Sequence, residues 1–492
     1  ASVYLNETAG DLHVAQILSQ LGDVRLTADG SILDGTDGIG DPSADVLGGN
    51  VTLIAANGSV GASDNDLEID SAFSVSGVLN AAAMQSVYLT EATHGLNVLT
   101  ATATTGDVRL TVPDLAGSGQ DLHLIAGSSV AAGGSVMLRA GDNLDATDSG
   151  MIAAGANIDL IGDYLDADPG VGTVIDLRGT ITPGAGANNR AAIFGGSDDD
   201  AITFQRTLLK GQTFAFGAGG RDAFVVNQLR TMDTSRPYTD ASGTIARRDT
   251  LDLDGQAGTD TYVINTTGST SLTPSDYVIN VLDTGAAADG LDALTVNGSN
   301  AADLFLLRKA DALVGRPGAN APAFVALLHG TLAEAQSHSL DSHVERINYD
   351  ANVNGGLFVN TLTGDDYVAG DDNSAVTTID GAAGNDTFQL GQVFGGARVP
   401  SDVAPPDQFS TLLTTRGHLS RGISSPAVIR GGTGNDTFQV YSNQAQLDLH
   451  GEDGDDTFIV RAFALPGGGY NLNAPLSING GAGFDTGVVV AT

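Results

Sequence analysis

The chain has no cysteine and no tryptophan, and its only lysines are Lys210 and Lys309. Without cysteine it forms neither disulfides nor thiolate metal sites, so its stability must have another source. No run of apolar residues approaches the ~20 that a membrane-spanning helix needs, and we therefore expect no membrane insertion. Few aromatic residues beside 66 glycines are unusual for a globular enzyme and indicate a chain with many tight turns.

Basic residues are scarce relative to acidic ones. The 492 residues include 21 lysines and arginines against 59 aspartates and glutamates, which gives a formal net charge of −38. This charge argues against nucleic acid and anionic membranes as partners. The aspartates recur at fixed positions of glycine-rich turns instead of in runs, and this placement favours cation binding. A chain of this length is too long for one compact core, which predicts either several domains or one elongated repeat.

The stretch 429–460 shows the repeating unit most clearly. It contains two copies of the pattern G-x-x-G-x-D-x-F, which begin at Gly431 and Gly451. The glycines permit positive φ, and Asp436 or Asp456 adds a carboxylate oxygen of the kind that Ca²⁺ prefers. Alternating apolar and polar residues follow each turn and predict a strand with one buried face. Because this unit closes after 20 residues, it predicts a β-solenoid whose glycine-aspartate turns stack along one edge.

This stretch resembles the RTX, or hemolysin-type, calcium-binding repeats of secreted bacterial proteins. Similar octamers occur intermittently in the C-terminal part: Gly217 (GAGGRDAF), Gly255 (GQAGTDTY), Thr361 (TLTGDDYV), Gly381 (GAAGNDTF) and Gly480 (GGAGFDTG). In that family, successive turns hold Ca²⁺ between them and the residues that follow form a parallel β-roll. The resemblance therefore implies Ca²⁺ as the cofactor and an extracellular or cell-surface location in a bacterium.

The resemblance also implies the ligands, because the family's ions lie between turns one coil apart. The turns at Thr361 and Gly381 are 20 residues apart, and so are those at Gly431 and Gly451. The implied metal ligands are Asp365, Asp366, Gly381, Asn385 and Asp386 in the first pair, Gly431, Asn435, Asp436, Gly451, Asp453, Asp455 and Asp456 in the second, and Asp260 and Asp485 in the turns at Gly255 and Gly480. Two departures from the family pattern are Arg221, at a position that is neutral or acidic in a calcium turn, and Gly487, at an apolar position. Alternatively, these residues only form turns, with each aspartate accepting local backbone N–H bonds.

Residues 1–190 carry a different repeat. The sequence SVYLNETAGDLHVAQILSQLGDVRLT begins at Ser2, and SVYLTEATHGLNVLTATATTGDVRLT begins 84 residues later at Ser86. Short alternating runs separated by Gly, Asn, Asp and Ser predict a parallel β-helix with about four coils per 84-residue copy. This half resembles the β-helical shafts of large bacterial adhesins. Since it lacks the G-x-x-G-x-D turns, we expect it to fold without calcium.

Residues 191–492 are predicted to form an RTX-like β-solenoid interrupted by three insertions, at about 229–249, 303–350 and 391–426. The second insertion contains the apolar runs 304–307 and 324–328, which predict a hairpin. The third contains Pro400, Pro405 and Pro406 and is typical of an exposed loop. The predicted fold class is all-β: a right-handed parallel β-helix/β-roll solenoid with loop and hairpin insertions.

Catalytic motifs are absent from the sequence. There is no G-x-S-x-G or H-E-x-x-H, and none of the eight histidines belongs to an H-x-x-x-H pattern. We therefore expect no enzyme but a structural or adhesive segment of a large secreted or surface-attached bacterial repeat protein. Its chain begins without methionine and ends inside a predicted strand, so the expected partners besides Ca²⁺ are neighbouring coils of a longer parent chain, copies of itself end to end, and surface carbohydrate.

The alternative function is a carbohydrate-active β-helix enzyme, lyase-like or epimerase-like, with appended RTX repeats. Enzymes of that kind use clustered acids together with a lysine or an arginine. Adjacent coils could bring Arg25, Arg109 or Arg139 close to acidic residues. A groove that combines such residues would favour the enzyme.

Overall fold

A computed structural model describes the chain except for residues 36–42, 74–76, 116, 118, 148, 233–235, 241–242, 248, 287, 312, 314–318, 402, 404–406 and 492. For 236–240 and 243–247 it describes the backbone alone. Parts of all three predicted insertions, including Pro405 and Pro406, therefore lie outside the described residues.

The regular secondary structure of the described residues consists of strands and one short helix. Up to Gly220 the strands are β1 Val3–Glu7, β2 Leu12–Val14, β3 Ile17–Leu18, β4 Val24–Ala28, β5 Ile32–Asp34, β6 Val46–Leu47, β7 Val51–Ala55, β8 Leu67–Asp70, β9 Leu79–Ala83, β10 Val87–Glu91, β11 Leu96–Ala103, β12 Val108–Thr111, β13 Leu122–Ala132, β14 Val136–Arg139, β15 Leu144–Ala146, β16 Met151–Ala154, β17 Ile158–Ile161, β18 Val174–Leu177, β19 Thr180–Thr182, β20 Ala191–Gly196, β21 Ala201–Gln205, β22 Leu208–Leu209 and β23 Thr213–Gly220. The strands that follow are β24 Ala223–Asn227, β25 Arg236–Asp240, β26 Gly243–Arg247, β27 Leu251–Gly258, β28 Thr261–Asn265, β29 Tyr277–Val281, β30 Ala293–Asn297, β31 Leu304–Lys309, β32 Ala323–Leu328, β33 Val344–Tyr349, β34 Gly356–Asn360, β35 Tyr367–Gly370, β36 Thr377–Asp380, β37 Thr387–Leu390, β38 Val393–Phe394, β39 Thr411–Thr414, β40 Gly417–Ser420, β41 Ala427–Thr433, β42 Thr437–Val440, β43 Leu447–Asp453, β44 Thr457–Ala462, β45 Leu476–Ala482 and β46 Thr486–Ala491, and the helix is α1 Leu332–Gln336.

The prediction of an all-β fold is confirmed, and long sheets of parallel strands dominate it, as in a parallel solenoid. Within the described part of the chain, no helix has the length and apolar character needed to cross a membrane. The chain divides into two compact units. The first unit contains residues 1–223 and 235–256, and the second contains 224–234 and 257–492. The boundary predicted near residue 190 lies inside the first unit.

In the first unit, the chain returns to the same parallel ladder once per coil. Val3 pairs with Val24, Val24 with Val51, and Val51 with Leu79. These steps take 21, 27 and 28 residues. An 84-residue copy therefore makes about three coils, and the prediction of four was wrong. The reason is that the strands are short while the loops between them are longer than two-strand coils of 20 residues allow.

The two 84-residue copies lie on different sides of the stack. Val24 pairs with Val3 in one sheet, whereas their counterparts Val108 and Val87 pair in another. Because 84 residues are not a whole number of coils, the second copy starts on another face. The same alternation of apolar and polar residues fits both sheets, because Val24 and Val108 are each fully buried. The repeat is therefore one of sequence pattern and not of position in the coil.

In the second unit, the strands after the glycine-aspartate turns form one parallel ladder of β35, β37, β42, β44 and β46. Its inward positions carry a column of stacked phenylalanine rings. The ring centroids of Phe388 and Phe438 are 5.1 Å apart, and those of Phe438 and Phe458 are 4.7 Å apart. β37 and β42 pair directly, although the insertion at 391–426 separates them in sequence. The insertion thus leaves the stacking of the coils intact.

The predicted insertions contain antiparallel strands. In 229–249, β25 pairs with β26, and in 391–426, β38, β39 and β40 form a small sheet. In 303–350, β31, β32 and β33 pair antiparallel, as a hairpin would. However, β31 also pairs in parallel with β35, and β33 with β29. These strands are therefore part of the sheet of the second unit and not an addition to its flank.

A buried carboxylate connects two coils of the first unit. Glu91, at the end of β10, is fully buried and accepts hydrogen bonds from the Ser71 backbone N–H at 2.9 Å and from the Ser71 hydroxyl at 2.7 Å. Burial raises the pKa of Glu91 well above its usual value, a rise that nearby Asp70 reinforces while the Ser71 hydrogen bonds oppose it. The folded state therefore holds the proton more tightly than the unfolded state does.

This linkage predicts a pH dependence for Glu91→Gln. Because the folded-state pKa is raised, the stability that the protonated group contributes is present at low pH and is lost as pH rises from the unfolded value of 4.5 toward the folded one. We expect the free energy of unfolding of the variant, relative to that of the parent, to increase as the pH rises from 5 to 8. Denaturant titrations at both pH values measure this difference, with Glu7→Gln as the control. An unchanged difference across that range would contradict the linkage.

Candidate metal centre

The sixth-position aspartates of successive turns in the second unit form a continuous ladder. The backbone N–H of each aspartate donates to the Oδ1 atom of the aspartate in the next coil. The donor–acceptor distances along this aspartate ladder are 2.7 Å from Asp303 to Asp366, 2.8 Å from Asp366 to Asp386, 2.7 Å from Asp386 to Asp436, 2.9 Å from Asp436 to Asp456 and 3.1 Å from Asp456 to Asp485. The aspartates thus accept backbone N–H bonds from the neighbouring coil, and Asp303 also accepts one from Ser299 of its own turn at 2.6 Å.

In Asp366, Asp386, Asp436 and Asp456 of the ladder, the second carboxylate oxygen has no hydrogen-bond partner. Oδ2 of Asp386, Asp436 and Asp456 is buried and accepts no hydrogen bond. It packs against the glycine five residues earlier: a Cβ placed on Gly431 would lie 2.7 Å from Cγ of Asp436, and closer still to Oδ2. Gly451 and Asp456 have the same relation. The first-position glycine is therefore required because the carboxylate occupies the space of its side chain.

A backbone carbonyl of the next coil lies near each of these buried oxygens. The point where a Cβ of Gly431 would stand is 2.8 Å from the carbonyl oxygen of Gly451 as well as close to Oδ2 of Asp436. A buried carboxylate oxygen that accepts no hydrogen bond needs either a proton or a cation. Burial raises the pKa of Asp386 to about 8, with neighbouring Asp366 and Asp436 adding to the rise. Burial also raises the pKa of Asp436 to about 6.

The fifth-position residues form a second ladder on the exposed side of the turns, and it runs in the opposite direction. The N–H of Asn385 donates to Asp365 at 2.8 Å, that of Asn435 to the Asn385 side chain at 2.9 Å, and that of Asp455 to Asn435 at 2.8 Å. Asp455 in turn accepts from the N–H of Phe484 at 2.8 Å. Each pair of adjacent turns from Thr361 to Gly480 is therefore held by two side-chain-to-backbone hydrogen bonds of opposite sense.

Arg221, the basic residue in the turn at Gly217, fits into the same fifth-position arrangement within the first unit. Its backbone N–H donates to Asp199 at 2.8 Å, and its guanidinium pairs with the same carboxylate at 2.8 Å. The hydrogen bonds from Arg221 lower the pKa of Asp199. Arg221 thus supplies a positive charge at this turn while its backbone N–H still makes the fifth-position hydrogen bond.

The predicted ligands differ in how well they fit calcium. Asp386, Asp436 and Asp456 offer a buried carboxylate oxygen without a donor, and Gly431 and Gly451 have backbone carbonyls beside these turns, so the donor set is of the hard type that Ca²⁺ binds. By contrast, the side chains of Asp365, Asn385, Asn435, Asp453, Asp455 and Asp485 are exposed. The backbone carbonyl of Asp453 accepts a bond from the Gly434 N–H at 2.9 Å. The structure therefore places the candidate ligands on the inner row of the turns.

Asp260 belongs to a compact group of three acidic residues. One carboxylate oxygen each of Asp260, Asp283 and Asp292 lies within 4.8 Å of the others, and all three residues are buried. The Asp260 N–H donates to Oδ1 of Asp292 at 3.0 Å, as in the aspartate ladder. Asp283 was not predicted, since it belongs to no octamer. Its only local signal in the sequence is an aspartate shortly after an apolar run; in the structure this aspartate has a left-handed φ of 42°.

Asp303 was also missed by the sequence analysis. It lies in GSNAADLF, where Gly298 precedes it by five residues and Ala301 replaces the second glycine. A Cβ on Gly298 would stand 2.7 Å from Oδ2 of Asp303, which is the same relation as in the regular turns. The spacing of glycine and aspartate, followed by an apolar residue, is therefore a better signal than the full octamer.

Substitution of one ladder aspartate tests this arrangement. In chelator, Asp436→Ala removes the acceptor of the Asp386 N–H and leaves that donor buried, so we expect a loss of about 2–3 kcal/mol in the free energy of unfolding. Asp436→Asn retains an acceptor oxygen and is expected to lose no stability in chelator. Denaturant titration measures both, with exposed Asp453→Ala as the control. Equal effects of Asp436→Ala and Asp453→Ala would show that the ladder bond contributes nothing.

Comparisons of the chain with protein-family models, with curated proteins and with solved structures found no match, so the likeness to RTX repeats rests on the turns themselves.

Proposed function

We propose that this chain is a structural or adhesive segment of a large secreted or surface-attached bacterial protein, in which Ca²⁺ bound at the glycine-aspartate turns stabilises a right-handed parallel solenoid. The observation that carries the proposal is the aspartate ladder. At equivalent positions of consecutive coils it holds buried carboxylate oxygens without a proton donor, at Asp386, Asp436 and Asp456. A row of buried carboxylates is stable only when protons or cations neutralise its charge.

The residues that would hold calcium are the inner aspartates together with carbonyls of the turns. Asp386, Asp436 and Asp456 would contribute Oδ2, and the compact group of Asp260, Asp283 and Asp292 would form a further site. Bound Ca²⁺ supplies positive charge to carboxylates that burial otherwise destabilises. Because it binds the folded coils and not the unfolded chain, it stabilises the stack by mass action.

A scaffold role is supported by the hydrogen bonds that polar side chains form between coils. The ladder carboxylates bind the backbone of the next coil, and the fifth-position residues do the same from the other side. Side chains committed to coil-to-coil bonds are suited to a fold that spans distance. The same bonds are available to further coils of a parent chain or to a second copy, and the strongly acidic surface suits an extracellular medium rich in calcium. Surface carbohydrate is the remaining proposed partner.

Hydrogen exchange of the ladder amides tests the proposal. The backbone amides of Asp366, Asp386 and Asp436 donate into the ladder, so calcium should slow their exchange at least about 10-fold relative to chelator. Amides of β39, which pairs with β40 in the separate small sheet of the insertion, should exchange at the same rate in both conditions. Exchange at the ladder amides that is identical with and without millimolar calcium would refute calcium-dependent stabilisation.

A groove in the first unit favours the carbohydrate-active enzyme as a second candidate. The cavity has a volume of about 220 Å³ and is lined by Ser63, Asp64, Asn65, Asp66, Glu68, Thr90, Arg109 and Arg139. Arg109 forms an ion pair with Asp66, and its guanidinium lies 4.6 Å from the ring centre of Tyr88. Arg25 lies outside this groove. Incubation with acidic polysaccharides, followed by ultraviolet detection of unsaturated products, tests the candidate; activity that Arg109→Ala abolishes would establish it, and no product would reject it.

A further inference from the structure

Two loops of the first unit bring three carboxylates together. One loop, 162–168, follows β17, and the turn 195–200 lies at the end of β20. β17 and β20 pair in parallel up to Ile161 and Phe194, so both loops leave the sheet at the same edge. As a result, one carboxylate oxygen each of Asp163, Asp166 and Asp198 lies within 4.8 Å of the others.

Asp163 is buried without a partner for its carboxylate. Only 8% of the residue is exposed, and its Oδ2 accepts no hydrogen bond. The other two carboxylates are partly satisfied: Asp166 accepts from the Ser197 hydroxyl at 3.2 Å, and Asp198 accepts from the Gly170 N–H at 2.7 Å. Even so, Oδ1 of Asp166 is buried and has no partner. Oxygens that face one another in this way lack a donor or a cation.

Gly196 leaves the space that the Asp163 carboxylate occupies. A Cβ at position 196 would stand 2.5 Å from Oδ2 and 3.0 Å from Cβ of Asp163. A side chain at this position would push the carboxylate away from Asp166 and Asp198. The backbone of the turn is therefore shaped around the acidic cluster.

The charge of the cluster is not balanced by the protein. Among the described residues, none of Asp114, Asp163, Asp166, Asp198 and Asp200 forms an ion pair with arginine, lysine or histidine. Burial, reinforced by the charges of these neighbours, raises the pKa of Asp163 to about 7. The contrast within the same turn is clear, because Asp199 points to Arg221 and forms an ion pair with it.

We propose that Asp163, Asp166 and Asp198 bind one divalent cation, and that this cation is Ca²⁺. Three oxygens within 4.8 Å of one another have a common point at most about 2.8 Å from each, so a small shift brings all of them to the 2.3–2.6 Å at which Ca²⁺ binds oxygen. The cluster contains no nitrogen or sulfur ligand, which disfavours zinc and copper. Waters and backbone carbonyls complete the coordination.

This site does not depend on the function proposed for the second unit. Asp163 and Asp166 belong to no glycine-aspartate octamer, and they lie in the part of the chain that the sequence predicted to be free of metal. The inference therefore replaces the expectation that residues 1–190 fold without calcium. It also means that calcium dependence of the first unit and of the aspartate ladder can be separated by substitution.

Metal titrations of the full chain test the site. Calcium binding is followed by calorimetry, and terbium binding by luminescence sensitised through Tyr164, which lies between Asp163 and Asp166 in sequence. The double variant Asp163→Asn/Asp166→Asn should lose one bound ion per chain, with binding at that site weakened by more than about 10-fold. Asp199→Asn, in the same turn but outside the cluster, should keep both signals. Asp436→Asn, in the second unit, should leave the Tyr164-sensitised signal intact.

Two outcomes would overturn the proposal. One is a double variant that, with an unchanged circular dichroism spectrum, binds as many ions as the parent and as tightly. The other comes from Tyr164→Phe. This variant keeps all three carboxylates and therefore tests the site even if the double variant does not fold. This variant should bind calcium like the parent but lose the corresponding terbium emission. Undiminished emission from Tyr164→Phe would place the bound ion elsewhere.

Discussion

Gly434→Ala is expected to abolish the cooperative folding of the second unit, or to lower its free energy of unfolding by more than about 4 kcal/mol. Gly434 has φ of +127°, in the region that favours glycine. A Cβ at this position would lie 2.7 Å from the carbonyl carbon of Gly384 in the preceding coil, and closer still to its oxygen. Both partners are backbone, so no side chain can move to relieve the overlap.

The same crowding recurs along the stack, which is why the expected effect is large. The fourth-position glycines Gly384, Gly434, Gly454 and Gly483 all have positive φ, and each packs on the carbonyl of the glycine one coil earlier. Moving one turn would therefore displace the next. Gly395→Ala is the matched control, because nothing lies within 4 Å of a Cβ there. Thermal melts followed by circular dichroism measure both variants, and a melting temperature of Gly434→Ala within about 2 °C of Gly395→Ala would contradict this packing.

The sequence predicted the turns and the strand alternation because both depend on local chemistry. The glycines of the octamer make two close contacts: Gly431 packs against the aspartate of its own turn, and Gly434 packs against the preceding coil. The apolar residue two positions after the aspartate becomes the stacked ring at Phe438 and Phe458. Although two of these contacts reach into a neighbouring coil, the residues that make them occupy fixed positions of the octamer. A pattern in one octamer is enough to fix them, so the strands and turns could be predicted.

The sequence did not reveal which residues of different coils contact one another. Asp386 and Asp436 are 50 residues apart, yet the N–H of one donates to the other, because the insertion 391–426 leaves the coil and returns to it. Loop length changes the entropy of closing such an insertion only slowly, so the stack tolerates it. Similarly, Asp163 and Asp198 meet because β17 and β20 are adjacent, and no motif marks that adjacency.

Removal of calcium is expected to lower the melting temperature of the second unit by on the order of 10 °C. An ion at 100 times its dissociation constant contributes about 2.7 kcal/mol. For a unit of this size, 1 kcal/mol shifts the midpoint by about 2–4 °C. Two occupied ladder sites therefore reach that magnitude. Thermal melts of the full chain in millimolar calcium and in EGTA measure the shift, and magnesium is the ion control, because it demands a stricter octahedral geometry.

The double variant Asp436→Asn/Asp456→Asn should reverse the order of stability between the two conditions. Burial raises the pKa of Asp436 to about 6, so at pH 7.5 the parent without calcium holds an ionised carboxylate in an unfavourable place. Burial also raises the pKa of Asp456. Asparagine keeps the acceptor for the neighbouring N–H, and its amide can donate toward the carbonyls of Gly451 and Gly480. We therefore expect the variant to melt above the parent in EGTA and below it in calcium. If calcium shifts the variant and the parent equally, the ladder aspartates are not calcium ligands, and their buried oxygens are satisfied by protons alone.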